Sequence, residues 1–265
     1  MEEYKKNRVK IGTYINYEKY YQSIIKDRLG GKYISDIRGE HIQKLYNDLV
    51  KEGYALSSIK IVAAVLNGCF QQALFMEYAK ESYLYNFFAI MLRTGMRNGE
   101  MRGLKYTDID KKAKVIHVQR TLKLIEGGGY MEDTPKTIAS RRDIPLTGDI
   151  IYLLDAQRKY WGFKVEKMDR YLFCNEDGEP LSRERVQGEI DRVIRRIRAA
   201  GSEFDRITPH VFRHTFATRA IEAGMKPQVL KTILGHSSLA MTMDLYSHVL
   251  PDTKAEEMEK IANVF

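Results

Sequence analysis

The chain has 265 residues, of which 44% are hydrophobic and 29% charged, a globular composition with room for one large core or two modest ones. Forty-three lysines and arginines against 35 acids leave a formal charge of +8 and a pI near 9.2, which favours an anionic partner such as nucleic acid. No apolar run is long enough to span a bilayer. Two cysteines, Cys69 and Cys174, in what read as different domains, make neither a disulfide framework nor a zinc-ligand spacing. The polar start Met1-Glu2-Glu3-Tyr4-Lys5-Lys6 is unlike a secretory signal, so a reducing, cytoplasmic setting is expected.

The basic excess is denser at one end: residues 1–75 hold 12 basic and 8 acidic side chains, the remaining 190 hold 31 and 27. This first stretch reads as a small helical bundle with a basic, tyrosine-rich exterior. The segment Tyr14 to Ile25 precedes a break at Gly30-Gly31. Ile42, Leu45, Tyr46 and Leu49 fall on one helical face. Ser57 or Ser58 is the expected N-cap of a helix with Ile59, Val62, Leu66 and Phe70 on its inner stripe.

From about residue 82 an apolar helix carrying Leu84, Phe87, Phe88, Met91 and Leu92 stops at Gly95. Lys114 to Arg120 and Arg141 to Leu146 read as strands of a small antiparallel sheet, with Gly127-Gly128-Gly129 at a loop tip. Helices then resume over Ile150 to Leu154, and over the stripe Val186, Ile190, Val193, Ile194 and Ile197. Thr208-Pro209 is a cap and first turn for a helix ending near Gly224. Pro227 opens another that stops at Gly235, and a last helix is expected from about Asp252 to Phe265.

Four stretches carry polar residues that amphipathic packing does not require. Arg97 follows a helix-breaking glycine in Thr94-Gly95-Met96-Arg97. Lys136 stands in Thr134-Pro135-Lys136-Thr137, at the tip or shoulder of a hairpin that leads into Ser140-Arg141-Arg142-Asp143-Ile144-Pro145-Leu146. His210 and Arg213, three apart on one helix, can reach a single anion. His236 follows Leu234-Gly235, and Tyr246 lies ten residues beyond it.

These words, in this order and spacing, resemble the tyrosine recombinases of the phage integrase family, integrases of conjugative transposons above all. The match runs over roughly residues 84–250, and residues 1–75 resemble that family's core-binding domain. The resemblance implies a mainly α protein: a helical core-binding bundle (1–75) and a mostly helical catalytic domain with a small antiparallel sheet (76–265). It implies Tyr246 as nucleophile, with Arg97, Lys136, His210, Arg213 and His236 as catalytic partners; Glu100, one helical turn from Arg97, is read as orienting Arg97 or His210, or as a plain i, i+3 ion pair. Double-stranded DNA is the implied partner, cut and rejoined through a 3′-phosphotyrosyl link during integration or excision of a mobile element. No cofactor and no metal is expected. A tetramer on DNA is implied, with residues after Pro251 docking on a neighbouring protomer, and an accessory DNA-bending protein is a further candidate partner.

The residues themselves suit that chemistry. Attack on a phosphodiester gathers negative charge on its non-bridging oxygens, and arginine forks such as Arg97 and Arg213 bind such oxygens bidentately. A phenol with a pKa near 10 needs only local help to attack. His210 and His236 are placed to assist the tyrosine and the phosphate, and the family assigns Lys136 to protonate the leaving 5′-oxygen. Plainer readings exist for each residue. Arg97 could be a solvated helix end, Lys136 a surface residue with Lys123 or Arg141 as the cation, and His236 a turn residue. His210 and His214, four apart, invite a metal reading, but Val211 stands where a metalloprotease needs glutamate. The rival functions are a metal-dependent nuclease, a non-catalytic DNA-binding regulator and a type IB topoisomerase. The junction Gln72 to Glu81 is shorter than the family's spacer, which leaves two expectations, a deleted linker or two segments joined across a gap; the gap is favoured, since a clamp around DNA needs a flexible strap.

Overall fold

In the computed structural model, the described residues are 20–32, 36–37, 39–125, 129–133, 141–161 and 169–249; side chains are not described at 64, 65, 67–69, 71, 161, 222 and 246–249. Lys136 and the expected helix over 252–265 lie outside them. The chain divides into two compact units, residues 72–239 and residues 1–71 together with 240–265.

In the first segment a π-helical turn, Tyr21–Ile25, leads into α1 (Lys26–Leu29), then α2 (Gly39–Lys51) and α3 (Leu56–Ala79). Ile24, Ile25, Leu29, Leu45, Leu49, Val62 and Leu66 form its core. Among the described tyrosines of this segment, Tyr20, Tyr21 and Tyr46 are partly buried against that core and Tyr54 is exposed; a half-buried tyrosine packs its ring while its hydroxyl finds a partner. Ser58 supplies one such partner, its Oγ lying 2.7 Å from the Tyr20 hydroxyl. It therefore does not cap α3, which begins earlier, at Leu56. α3 also runs unbroken through the short junction as far as Ala79.

The second unit is mostly helical: α4 (Tyr85–Thr94), α5 (Asn98–Arg102), α6 (Gly148–Trp161), α7 (Arg183–Ala199), α8 (His210–Glu222) and α9 (Pro227–Leu234). α10 (Leu239–Val249) follows in the chain, belongs from residue 240 on to the other unit, and carries Tyr246. The two expected strands are β2 (Val115–Val118) and β5 (Arg142–Pro145), antiparallel with Ile116 opposite Ile144 and Val118 opposite Arg142. β1 (Ile109–Asp110) pairs on the other edge of β2. β3 (Thr121–Leu124) and β4 (Tyr130–Asp133) form a separate two-stranded antiparallel sheet that was not expected.

A cluster of aromatic rings fixes α4 against α8. Phe88 stacks on Phe212 at 5.2 Å, and Phe75 meets both rings edge-on at 5.5 Å. All three are fully buried, and such ring pairs contribute beyond their buried area. Two helix ends then turn sharply. Gly95 and Gly235 stop α4 and α9 with φ of 63° and 64°, the left-handed cap that glycine adopts without strain. A Cβ on Gly95 would lie 2.4 Å from Phe216 Cδ1 and 2.8 Å from Leu234 Cδ2. Gly95→Ala is therefore expected to lower stability by ~1–3 kcal/mol from backbone strain, with the clash adding to it. Chemical denaturation measures this, and an unchanged unfolding free energy would contradict the assigned cap.

Candidate active site

α9 has a polar opening and an unusual close. Its last carbonyls lack partners within the helix, as at every helix C-terminus, and they form the negative end of its dipole. Here three successive carbonyls each accept from a different arginine. Ile233 O takes Arg142 Nε, Leu234 O takes Arg213 Nη2 at 2.8 Å, and Gly235 O takes Arg97 Nη2 at 3.2 Å. The arginines arrive from three directions: Arg142 from β5, Arg213 from the first turn of α8, and Arg97 from the N-cap of α5. Arg213 Nη1 also donates to Gly95 O at 2.7 Å, so the cap of α4 and the cap of α9 are tied through one guanidinium.

Glu100 is the carboxylate among them. Its Oε1 accepts from Arg97 Nη1 at 2.8 Å and from Arg142 Nη1 at 3.0 Å. Its Oε2 accepts from the Arg97 backbone N–H and from Arg142 Nη2, both at 2.8 Å. The backbone bond is the reach-back of an N3 glutamate to the N-cap. Burial works to raise the Glu100 pKa, but the hydrogen bonds and charge of Arg142, joined by Arg97, hold it down at about 2. Three guanidiniums thus face one carboxylate. Burial, then the neighbouring Arg97, pulls Arg213 down to about 9, which leaves it charged at neutral pH. Arg213 is only 4% exposed; the Arg97 side chain is 38% exposed and open to an anion.

The histidines beside them have lowered pKa values, and His214 and His236 are held neutral. Burial first, then the charges of Arg213, Arg97 and Arg142, drives His236 to about 4. Burial takes His214 to about 4 as well. Partial desolvation, with Arg213 and Arg97, lowers His210, whose ring meets His214 edge-on at 4.2 Å. Among the described residues no cluster of three or more His, Cys, Asp or Glu is gathered to hold a metal.

Of the sequence candidates, Arg97, Glu100, Arg213 and His236 are gathered by the hydrogen bonds and charge effects just described, and His210 is close enough to feel both arginines. Glu100 bonds Arg97 rather than His210 in these contacts. Lys123 ion-pairs with Asp133 across the β3–β4 hairpin. Lys136 is outside the described residues, as is the side chain of Tyr246. Arg142 is the residue the sequence reading passed over. Its signal lay in the strand alternation, which puts Arg142 and Ile144 inward and Asp143 outward.

Comparison with known proteins places this arrangement. Residues 71–252 match the phage integrase family, and residues 1–50 match its N-terminal SAM-like domain. The chain is 27% identical to a XerC-like tyrosine recombinase of Caldanaerobacter subterraneus, over 97% of this chain and 79% of that protein. It is 28% identical to the transposase of transposon Tn916 from Enterococcus faecalis, over 67% of this chain and 45% of the relative. With the ICEBs1 integrase of Bacillus subtilis it shares 30% identity over 66% of this chain and 47% of the relative. It thus spans about half the length of those last two. Among solved structures, the Tn1549 transposon integrase in complex with circular intermediate DNA superposes with a TM-score of 0.63 at 25% identity, covering 98% of this chain and 97% of that one. The XerA recombinase shares the fold at a TM-score of 0.52 and 21% identity, covering 95% and 98%. The chain belongs to the phage integrase family, whose members named here are tyrosine recombinases and transposon integrases.

The histidine pKa values carry a stability consequence. An unfolded His236 takes up a proton near its ordinary value of 6.5, whereas the folded one resists until about 4. Stability is therefore complete above pH 6.5 and is lost as pH falls from 6.5 towards 4, by about 3 kcal/mol at most for this residue. His236→Gln, which cannot charge, is expected to flatten the fall of the melting temperature across that window. An unaltered slope would contradict a buried neutral imidazole.

Proposed function

We propose that the chain is a site-specific DNA recombinase that cuts and rejoins strands for integration and excision of a mobile element. The observation that carries the reading is the set of guanidiniums converging on the carboxyl end of α9, with neutral His236 beside them. A phosphodiester gains negative charge on its non-bridging oxygens as a fifth ligand approaches, and Arg97 and Arg213 would stabilise that charge with forks already fixed in place. Tyr246 would supply the fifth ligand. Its oxygen bonds to phosphorus, the bond from phosphorus to the 5′-oxygen breaks, and Lys136 gives that oxygen its proton. His210 would take up the phenolic proton or hold it by a hydrogen bond, and His236 would donate to a phosphate oxygen. The product is a 3′-phosphotyrosyl diester, so the 5′-hydroxyl of a second strand can attack it and restore Tyr246 without ATP or a metal ion.

The relatives and the DNA complex named above support double-stranded DNA as the partner. On this reading residues 1–75 form the core-binding domain and residues 76–265 the catalytic domain, and the protein works as a tetramer on DNA. The segment after Pro251 would dock on a neighbouring protomer, and an accessory protein would bend the DNA.

A nicked attachment-site duplex, incubated with the protein in the presence of chelator, is expected to give a covalent protein–DNA band that protease removes. Tyr246→Phe should abolish that band while leaving DNA affinity within a few-fold. An adduct from Tyr246→Phe, or one that needs a divalent cation, would overturn the reading. Arg213→Lys, which keeps the charge but loses the fork, should slow cleavage by about a hundredfold or more. Single-turnover rates measure that loss, and an unchanged rate would remove Arg213 from the chemistry.

A further inference from the structure

We propose that Arg142 is a positioning residue for strand cleavage: by gripping the Glu100 carboxylate and the Ile233 carbonyl together, it sets the Arg97 fork and keeps its charge available for the phosphate. This rests on the recombinase reading above.

The Arg142 side chain is 1% exposed, so it acts through its neighbours rather than on DNA. Each Glu100 oxygen is shared: Oε1 between Arg97 Nη1 and Arg142 Nη1, Oε2 between the Arg97 backbone N–H and Arg142 Nη2. Were Arg97 alone with Glu100, the two would form a neutral pair, and an approaching phosphate would have to compete with the carboxylate. Arg142 changes that balance. It offsets the carboxylate charge from the far side while leaving the carboxylate oxygens in place as rulers for Arg97.

A second set of contacts makes Arg142 more than a counter-ion. Its Nε donates to Ile233 O, one residue before the carbonyl that holds Arg213 and two before the one that holds Arg97. Its backbone belongs to β5, in register with β2, and begins six positions after Lys136 in the sequence. One guanidinium therefore joins the strand that follows Lys136, the carboxylate that aims Arg97, and the helix end that leads into His236. Arginine suits this place because its planar fork meets the carboxylate at two points while Nε remains for the carbonyl; lysine offers a single ammonium in place of that fork.

The test is a double-mutant cycle with the full chain on a nicked attachment-site duplex, at saturating DNA. Arg142→Lys is expected to slow single-turnover cleavage about tenfold or more, with the Kd for DNA changed less than about threefold. Arg97→Lys is expected to slow it further, and the Arg97→Lys/Arg142→Lys double variant is expected to be no slower than Arg97→Lys alone, because Arg142 acts through Arg97. A purely structural brace would give losses that multiply, or a loss in affinity in place of rate. Either result overturns the proposal and leaves the recombinase reading standing. Where Arg142→Lys is too unstable to assay, Glu100→Gln/Arg142→Met removes both buried charges together. It is expected to cleave about tenfold more slowly, and cleavage at the unaltered rate overturns the proposal. Absence of any adduct from the unaltered protein overturns the recombinase reading and this proposal with it.

Discussion

Three positive charges held at one helix end are a costly arrangement, and the rest of the catalytic unit makes it possible. Arg97, Arg142 and Arg213 repel one another, and two of them lose most of their water. The cost is met by what each guanidinium finds: a carbonyl at the negative end of α9, with Glu100 held between Arg97 and Arg142. Taking away either partner of such a buried pair typically costs about 3–5 kcal/mol, because the remaining charge stays buried. The cluster still carries more positive charge than Glu100 offsets. A site with such strongly shifted ionisation is a place to look for function.

Precision at this site comes from backbone turns and from rings as well as from the buried Arg142–Glu100 ion pair. The left-handed glycines end α4 and α9 so that their terminal carbonyls can meet Arg213. The Phe75, Phe88 and Phe212 rings set the separation of α4 and α8, and Phe212 immediately precedes Arg213 in the sequence. A rigid fork on a packed helix loses little freedom when an anion binds, which is what preorganised electrostatic stabilisation requires. The neutral state of His236 follows first from its burial and then from the same crowding, since a fourth cation within reach of three guanidiniums is disfavoured.

Much of this was legible in the sequence because helix punctuation and motif spacing are local signals. Gly95 and Gly235 marked two helix ends, and Arg97, His210, Arg213 and His236 stood where packing did not call for them. Arg142 was harder. In Ser140-Arg141-Arg142-Asp143 two adjacent arginines look alike until strand alternation decides which one turns inward with Ile144. The Thr121–Leu124 strand escaped because it is short and its pairing with Tyr130–Asp133 is visible only once the two strands meet. Ser58 looked like a cap, but a tertiary contact with Tyr20 claimed its hydroxyl, and no local pattern reports such a partner. The helical continuity of α3 through the short junction was likewise hidden, since a run of good helix formers such as Gln71-Gln72-Ala73-Leu74 also suits the end of a domain.

The most direct measurement is to trap the protein on a nicked attachment-site duplex, digest both components, and map the nucleotide-bearing peptide by mass spectrometry. A nucleotide joined through its 3′-phosphate to Tyr246 is the expected result. Attachment to any other residue, or through a 5′-phosphate, would contradict the chemistry assigned to this site.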